Sequence, residues 1–260
     1  MEQQTGYTWG QKAAAWGVHA FTASGIVAGF WGIVSVANGD FFMAFAMLFA
    51  TVIIDGVDGT FARIFKVTEV LPDVSGKTMD YVIDFATYAI IPAFIIYEAT
   101  QKGVPVEEGG VYMIPDALRI WAAAIILIIS SLYYGKEGMV SRDMYFVGFP
   151  VLWNLVAFYL YYVTNLPPIG NFIMVLIFAI LHFVPIKYLY PSRTKKFMKL
   201  NILNTVVFLI SNFALLVLIE WNYNLPTALI IARVGSVASL LYFGVLSVYH
   251  TWFDPDTKDI

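Results

Sequence analysis

The 260 residues are 60% hydrophobic and 17% aromatic but only 13% charged, where a soluble domain carries about 25% charged residues. Mean hydropathy is +0.74, and 15 Lys+Arg stand against 18 Asp+Glu with Cys 0. These values exclude a soluble globular enzyme, a disordered chain, a basic nucleic-acid binder, a disulfide framework and any cysteine chemistry. The apolar runs are continuous rather than alternating, so the class is all-α and polytopic in a membrane, not a β-barrel.

The N-terminal stretch up to Lys12 lacks the basic-then-apolar order of a cleaved signal, so the first helix is expected to stay in the chain. Eight transmembrane helices are predicted, at 13–38, 41–65, 76–101, 117–134, 146–165, 170–190, 201–220 and 226–252. Breaks fall at Asn38-Gly39-Asp40, Pro72, Gly103 to Pro115, Gly135 to Gly138, Pro167-Pro168, Pro191 and Pro226. With both termini cytoplasmic, twelve Lys and Arg fall on inner segments and two, Lys102 and Arg119, on outer loops. Arg233 lies inside the last span. That bias is the signature of cytoplasmic loops.

The second run is apolar only from Phe41 to Ile54. At 1.5 Å per residue this reaches about 21 Å, short of a hydrocarbon core of about 30 Å. The helix must therefore continue to Arg63, which carries Asp55 and Asp58 into the membrane. Counting back from Thr100, the third helix brings Asp80 and Asp84 to a similar depth. Asp55 and Asp58 share a face at i,i+3, and Asp80 and Asp84 at i,i+4. Each buried acid costs about 2.5–3.5 kcal/mol at mid-membrane, and like charges repel. A bound divalent cation resolves the conflict, and oxygen-only donors suit Mg²⁺ or Mn²⁺. The alternatives are a cation- or proton-conducting acid cluster in a transporter, or pairing with Arg63, Lys66 and Lys77. Gly56 and Gly59 leave backbone open beside the acids for a ligand, whereas Gly25-x-x-x-Gly29 reads as helix packing.

The run Asp55-x-x-Asp58-Gly59-x-x-Ala62-Arg63, then Gly76-x-x-x-Asp80-x-x-x-Asp84, resembles the signature of the CDP-alcohol phosphotransferases. The 12 residues between Arg63 and Gly76 exceed the usual gap and resemble the bacterial phosphatidylcholine synthases of that family. So do Val18-His19-Ala20-Phe21-Thr22-Ala23-x-Gly25, Phe146-x-Gly148-Phe149-Pro150-x-x-Trp153-Asn154 and His182-Phe183-Val184-Pro185-Ile186-Lys187. The resemblance implies transfer of a phosphatidyl group from CDP-diacylglycerol to choline with release of CMP. It implies a single membrane domain over 1–260, with a six-helix core at 13–190 and two added helices at 201–252. It also implies a homodimer in a bacterial inner membrane, with the active site facing the cytoplasm. The matching aspartates, Asp55, Asp58, Asp80 and Asp84, would hold two metal ions, with Asp84 as general base. Asp58, Gly59, Ala62, Arg63, Gly76 and Thr22 would line the CDP moiety. The enzymatic alternative is phosphatidylserine synthase or another CDP-diacylglycerol-dependent transferase.

A quaternary ammonium binds aromatic faces. The predicted fifth helix has no Lys or Arg and carries Phe146, Phe149, Trp153, Phe158, Tyr159, Tyr161 and Tyr162. Core or lipid-facing rings are the plainer reading of most of these. Tyr88, Trp153, Asn154 and Tyr188 are the expected choline contacts, while Arg142 and Lys187 keep an anionic acceptor open.

Overall fold

The computed structural model describes residues 6–255. Lys258, one of the twelve inner-segment cations, lies outside the described residues, as does the side chain of Lys102. Six described helices are long and apolar enough to cross a membrane: Trp9–Ala37, Phe41–Ile64, Gly76–Glu98, Asp116–Tyr134, Met198–Glu220 and Pro226–Phe253. These are the first, second, third, fourth, seventh and eighth of the predicted spans. The sixth is the shorter apolar helix Pro168–Leu181.

Local chemistry sets the helix starts. Thr8 and Gln11 form a reciprocal capping box on the first helix. The first two helices are joined by Asn38, Gly39 at φ +75° and Asp40, whose carboxylate accepts from Met43 N at 2.9 Å. Ser75 caps the third helix through Thr78 N. A single helical turn, Val67–Val70, bridges the second and third.

The third helix is not uniform. It widens to a π turn over Phe85–Ile90, directly after Asp84. Ile91 N donates five residues back to Ala86, and Pro92 has no N–H with which to resume the ordinary register. Small residues on the first helix let its neighbours close in. A Cβ at Gly29 would stand 2.9 Å from Ile91 Cδ1, and one at Gly32 would stand 3.7 Å from the Ala44 carbonyl. The packing reading of the glycine stripe therefore holds.

The fifth span departs from expectation. The predicted helix over 146–165 is helical only from Trp153, as Trp153–Phe158 continuing into a π turn at Tyr159–Val163. Tyr145–Val147 is instead a three-residue strand, antiparallel to Lys187–Leu189, so the predicted sixth helix also stops early, at Leu181. Gly148 is the reason. It has φ +90°, and a Cβ there would stand 2.0 Å from the His182 carbonyl oxygen. Only glycine permits this contact, and Phe149 N then donates to Leu181 O at 2.9 Å. Two of the short motifs singled out in the sequence thus interlock. The rings of the fifth helix pack as core: Phe158, Tyr161 and Tyr162 all meet Phe45 at 5.5–5.7 Å. The last two helices dock through a polar seam. Tyr159 and Ser236 hydroxyls meet, and Ser236 donates to Asn212.

Candidate active site

Asp55 and Asp58 lie on the second helix and Asp80 and Asp84 on the third. All four line one narrow cleft, together with Thr22, Gly25, Thr51, Ile54, Ile83 and Thr87. The Asp55, Asp80 and Asp84 carboxylates are half-buried and present oxygens all within 4.8 Å of one another. Asp58 is buried, lines the same cleft and lies outside that close group, with the Thr22 hydroxyl beside it.

The cations offered by the sequence as partners are engaged elsewhere. Arg63 donates to Thr60 at 3.0 Å, Lys66 pairs with Glu69 at 4.0 Å, and Lys77 sits over the Tyr81 ring at 5.5 Å. Among the described residues no Lys or Arg pairs with any of the four aspartates. Three acidic oxygen donors this close, in a poorly solvated cleft and without an ion-pair partner among the described residues, fit a hard divalent cation.

The glycines differ in role. A Cβ at Gly56 would meet nothing within 4 Å, and one at Gly59 only Arg63 Nη1 at 3.6 Å. This face is open beside the acids. Gly76 lies against His19, since a Cβ there would stand 3.4 Å from His19 Cε1. Ala62 and Arg63 follow one turn beyond Gly59, and Arg63 is exposed.

Tyr88 is 6% exposed, and its hydroxyl donates to Asp55 Oδ2 at 2.8 Å. It reaches the aspartate group as a hydrogen-bond donor. Trp153, expected to face a cavity, is fully buried. Its Nε1 donates to Ser130 at 2.9 Å, and its ring stacks on His182 at 5.2 Å. The late start of the fifth helix turns this residue into the core. Asn154 is buried, with its side-chain carbonyl accepting from Leu155 N. Tyr188 packs edge-on to Phe149 at 5.6 Å. None of these three lines the aspartate cleft. Lys187 is wholly buried and paired with Asp143 at 3.0 Å, so it is spent on structure rather than on an acceptor.

Three residues not singled out by the sequence lie close by. Tyr134, at the end of the fourth helix, lies within the electrostatic reach of Asp84, Asp55 and Asp80 and meets Tyr81 and Phe85 at 6.0 and 6.1 Å. Tyr190 and Arg193 come from the segment between the sixth and seventh helices. Burial holds the Tyr190 hydroxyl pKa above its ordinary value; Arg193 opposes the shift, and Asp55, Asp80 and Asp84 add to it. Only the folded loop brings them here, and no local spacing signals it.

The comparisons agree with this geometry. A family model described as CDP-alcohol phosphatidyltransferase matches residues 19–186, a range that contains all four aspartates. A phosphatidylcholine synthase of Pseudomonas aeruginosa is 39% identical over 79% of this chain and 81% of its own. One of Agrobacterium fabrum is 35% identical over 88% and 89%, and one of Borreliella burgdorferi 34% over 92% and 94%. With the match running through both acid-bearing helices and relatives aligned over most of their length, the chain belongs to the CDP-alcohol phosphatidyltransferase family.

Proposed function

We propose that this chain is a phosphatidylcholine synthase, transferring the phosphatidyl group of CDP-diacylglycerol to choline and releasing CMP. The observation that carries the reading is the gathering of Asp55, Asp80 and Asp84 oxygens within 4.8 Å, with Asp58 in the same cleft. The relatives' names supply the acceptor.

The choline oxygen forms a bond to the phosphorus that carries diacylglycerol, and the bond from that phosphorus to the CMP oxygen breaks. Asp84 takes the hydroxyl proton, since an alcohol is a poor nucleophile without a base in reach. Asp55, Asp58, Asp80 and Asp84 would hold two divalent ions, Mg²⁺ or Mn²⁺, which would supply charge to offset that of the diphosphate and of CMP. Thr22, Gly59, Ala62, Arg63 and Gly76 line the nucleotide, and the open faces of Gly56 and Gly59 admit it. Phosphoryl transfer is mainly positioning and electrostatics, and the two helices supply both. Aromatic faces near the acids favour a quaternary ammonium, with Tyr134 as a candidate ring in place of Trp153 and Tyr188.

The chain spans eight times, with the short fifth and sixth helices completing the set. Both termini and the cleft face the cytoplasm in a bacterial inner membrane. Residues 13–190 form the catalytic core, 201–252 the added pair, and the enzyme is a homodimer. The test is purified protein with CDP-diacylglycerol and Mn²⁺, offered labelled choline, serine or glycerol phosphate separately. Labelled phosphatidylcholine is expected. Product from serine in preference to choline would overturn the acceptor, and no product from any of the three would overturn the enzyme.

A further inference from the structure

At the end of the bundle remote from the aspartates, the loop 99–113 folds against the junction of the fifth and sixth helices. Asp80 and Asp84 lie in the first half of the third helix, Gly76–Glu98, and this loop follows its last residue. The loop closes on itself, with Met113 N donating to the Ala99 carbonyl at 2.8 Å and Gln101 N to Val111 O at 2.7 Å. Two side-chain amides then tie it to the junction. Gln101 Nε2 donates to Leu166 O and Asn171 Nδ2 to Met113 O, both at 2.9 Å. The four tied residues line one pocket, with Thr100, Thr164 and Asn165. It shares no residue with the aspartate cleft.

Asn171 Oδ1 and Thr164 Oγ1 are both buried and have no hydrogen-bond partner among the described residues. Asn171 is 1% exposed. Its amide has a fixed orientation, because the Met113 carbonyl can only accept and so must face the nitrogen. The oxygen is left needing a donor. Thr164 does not supply it, since neither atom bonds the other. Leaving two buried polar atoms unpaired is costly, and one small molecule that donates to the amide oxygen and bonds the hydroxyl removes the cost at both. The pocket has a volume of about 30 Å³, where a buried water needs about 10–15 Å³. That admits about two waters and excludes choline or any part of a nucleotide. Among the described residues no Asp or Glu lines it, so a cation there would have no counter-charge.

We propose that this pocket is an internal hydration site, in which a bound water bridges Asn171 Oδ1 and the Thr164 hydroxyl and fastens the loop 99–113 to the junction of the fifth and sixth helices. Thr100, Gln101 and Asn165 line the same space and offer the further polar partners that a buried water takes. Asn171 thus holds the loop through its nitrogen and the water through its oxygen. The site is independent of the aspartate chemistry.

The sign of one substitution tests this. Valine has the shape of threonine with a methyl in place of the hydroxyl, and the extended backbone of Thr164, φ −87° and ψ 154°, suits it. Were the hydroxyl unpaired, Thr164→Val would remove an unsatisfied buried group and raise the melting temperature. With a bridging water it removes a bond instead, so the full chain in detergent micelles should melt about 2–4 °C lower. A variant melting at or above wild type would overturn the proposal. A high-resolution map of the wild-type chain should show a density peak within hydrogen-bond distance of both Asn171 Oδ1 and Thr164 Oγ1, and Thr164→Val should lose it. No peak in wild type, or an unchanged peak in the variant, would overturn it as well. Exchanging Na⁺ for K⁺ or N-methylglucamine at constant ionic strength should leave the wild-type melting temperature unchanged. A shift that Thr164→Val abolishes would make the occupant a monovalent cation and overturn the assignment to water.

Discussion

Tyr88 separates two accounts of the aromatic residues around the cleft. As a wall of a choline site, its ring face matters and its hydroxyl does not, so Tyr88→Phe should be mild. In the structure its hydroxyl donates to Asp55 Oδ2 at 2.8 Å from a side chain that is 6% exposed. That bond orients a carboxylate of the proposed metal-binding group. A hydrogen bond to a charged partner is worth about 1.5–3 kcal/mol, which is roughly 10- to 150-fold in an equilibrium constant. Loss of a group that orients a metal ligand costs about 10- to 100-fold in metal affinity or activity. Tyr88→Phe should therefore shift the midpoint of Mn²⁺ activation upward by about tenfold or more. Saturating metal should restore most of the turnover, and the choline KM should stay near wild type. The assay is initial rate against free Mn²⁺ in a chelator buffer, at fixed saturating donor and choline. A metal midpoint within about threefold of wild type, below the lower bound of that range, would refute the reasoning. So would a choline KM that moves instead.

Further outcomes follow from the same geometry. Asp58→Asn and Asp80→Asn should each abolish nearly all turnover at saturating Mn²⁺ while the protein still inserts and folds; near-normal turnover in either would exclude metal binding as their role. Asp84→Asn should lower kcat more than donor affinity, and in chelator its melting temperature should equal or exceed wild type because it removes charge from a crowded acid group. A melting temperature clearly below wild type in chelator would contradict that crowding. Gly29→Leu should destabilise by about 1–3 kcal/mol through overpacking, since even a Cβ would stand 2.9 Å from Ile91 Cδ1. Gly56→Ala, with open space around it, should melt like wild type, so equal melting temperatures for both variants would refute the packing assignment. Asp143 gives a pH dependence. Burial opposes its charge, but hydrogen bonds from Ser141 and Lys187 outweigh burial and hold its pKa below the usual carboxylate range. A depressed folded pKa means the stability it lends is complete at neutral pH and is lost as pH falls through that pKa, below about 4. Wild type should lose thermal stability between pH 5 and 3 more steeply than Asp143→Asn, and parallel pH profiles would count against it.

The acid site is legible in sequence because a carboxylate inside an apolar helix is a costly departure from the solvent it faces. Its spacing then fixes its direction on a helix whose phase is already known. Asn38-Gly39-Asp40 was equally readable, since a glycine with positive φ followed by a capping aspartate ends one helix and begins the next. The fifth span was not. Gly148 and Pro150 interrupt its apolar run, but the contact between Gly148 and the distant His182 carbonyl that delays the helix to Trp153 is not a local signal. Trp153 changed environment with it, since a helix beginning there presents it to Ser130 and His182. The three-residue strands carry too little pattern to announce themselves. Lys187 entered the loop-charge argument as a surface cation and is instead buried and paired.

The two halves of the site also differ in how they are held. The aspartates sit on helices adjacent in sequence, and their spatial relation follows from a short connection and a glycine-lined interface. The segment between the sixth and seventh helices is fastened across much longer separations, as the bond from Lys187 N to the Thr251 hydroxyl, 64 positions apart, illustrates. In lipid no hydrophobic force drives helices together. The last two helices must therefore be docked by specific polar contacts, and the Tyr159–Ser236–Asn212 chain and the Tyr242–Asn201 bond provide them. Such bonds fix register where apolar packing tolerates sliding. Asp254, 0% exposed in its side chain and bonded to both Lys196 and His250, ties the last helix to the segment between the sixth and seventh helices. Removing one member of such a buried charge network leaves the others uncompensated. A polar contact far from the aspartates can thus control where the segment that carries Tyr190 and Arg193 stands.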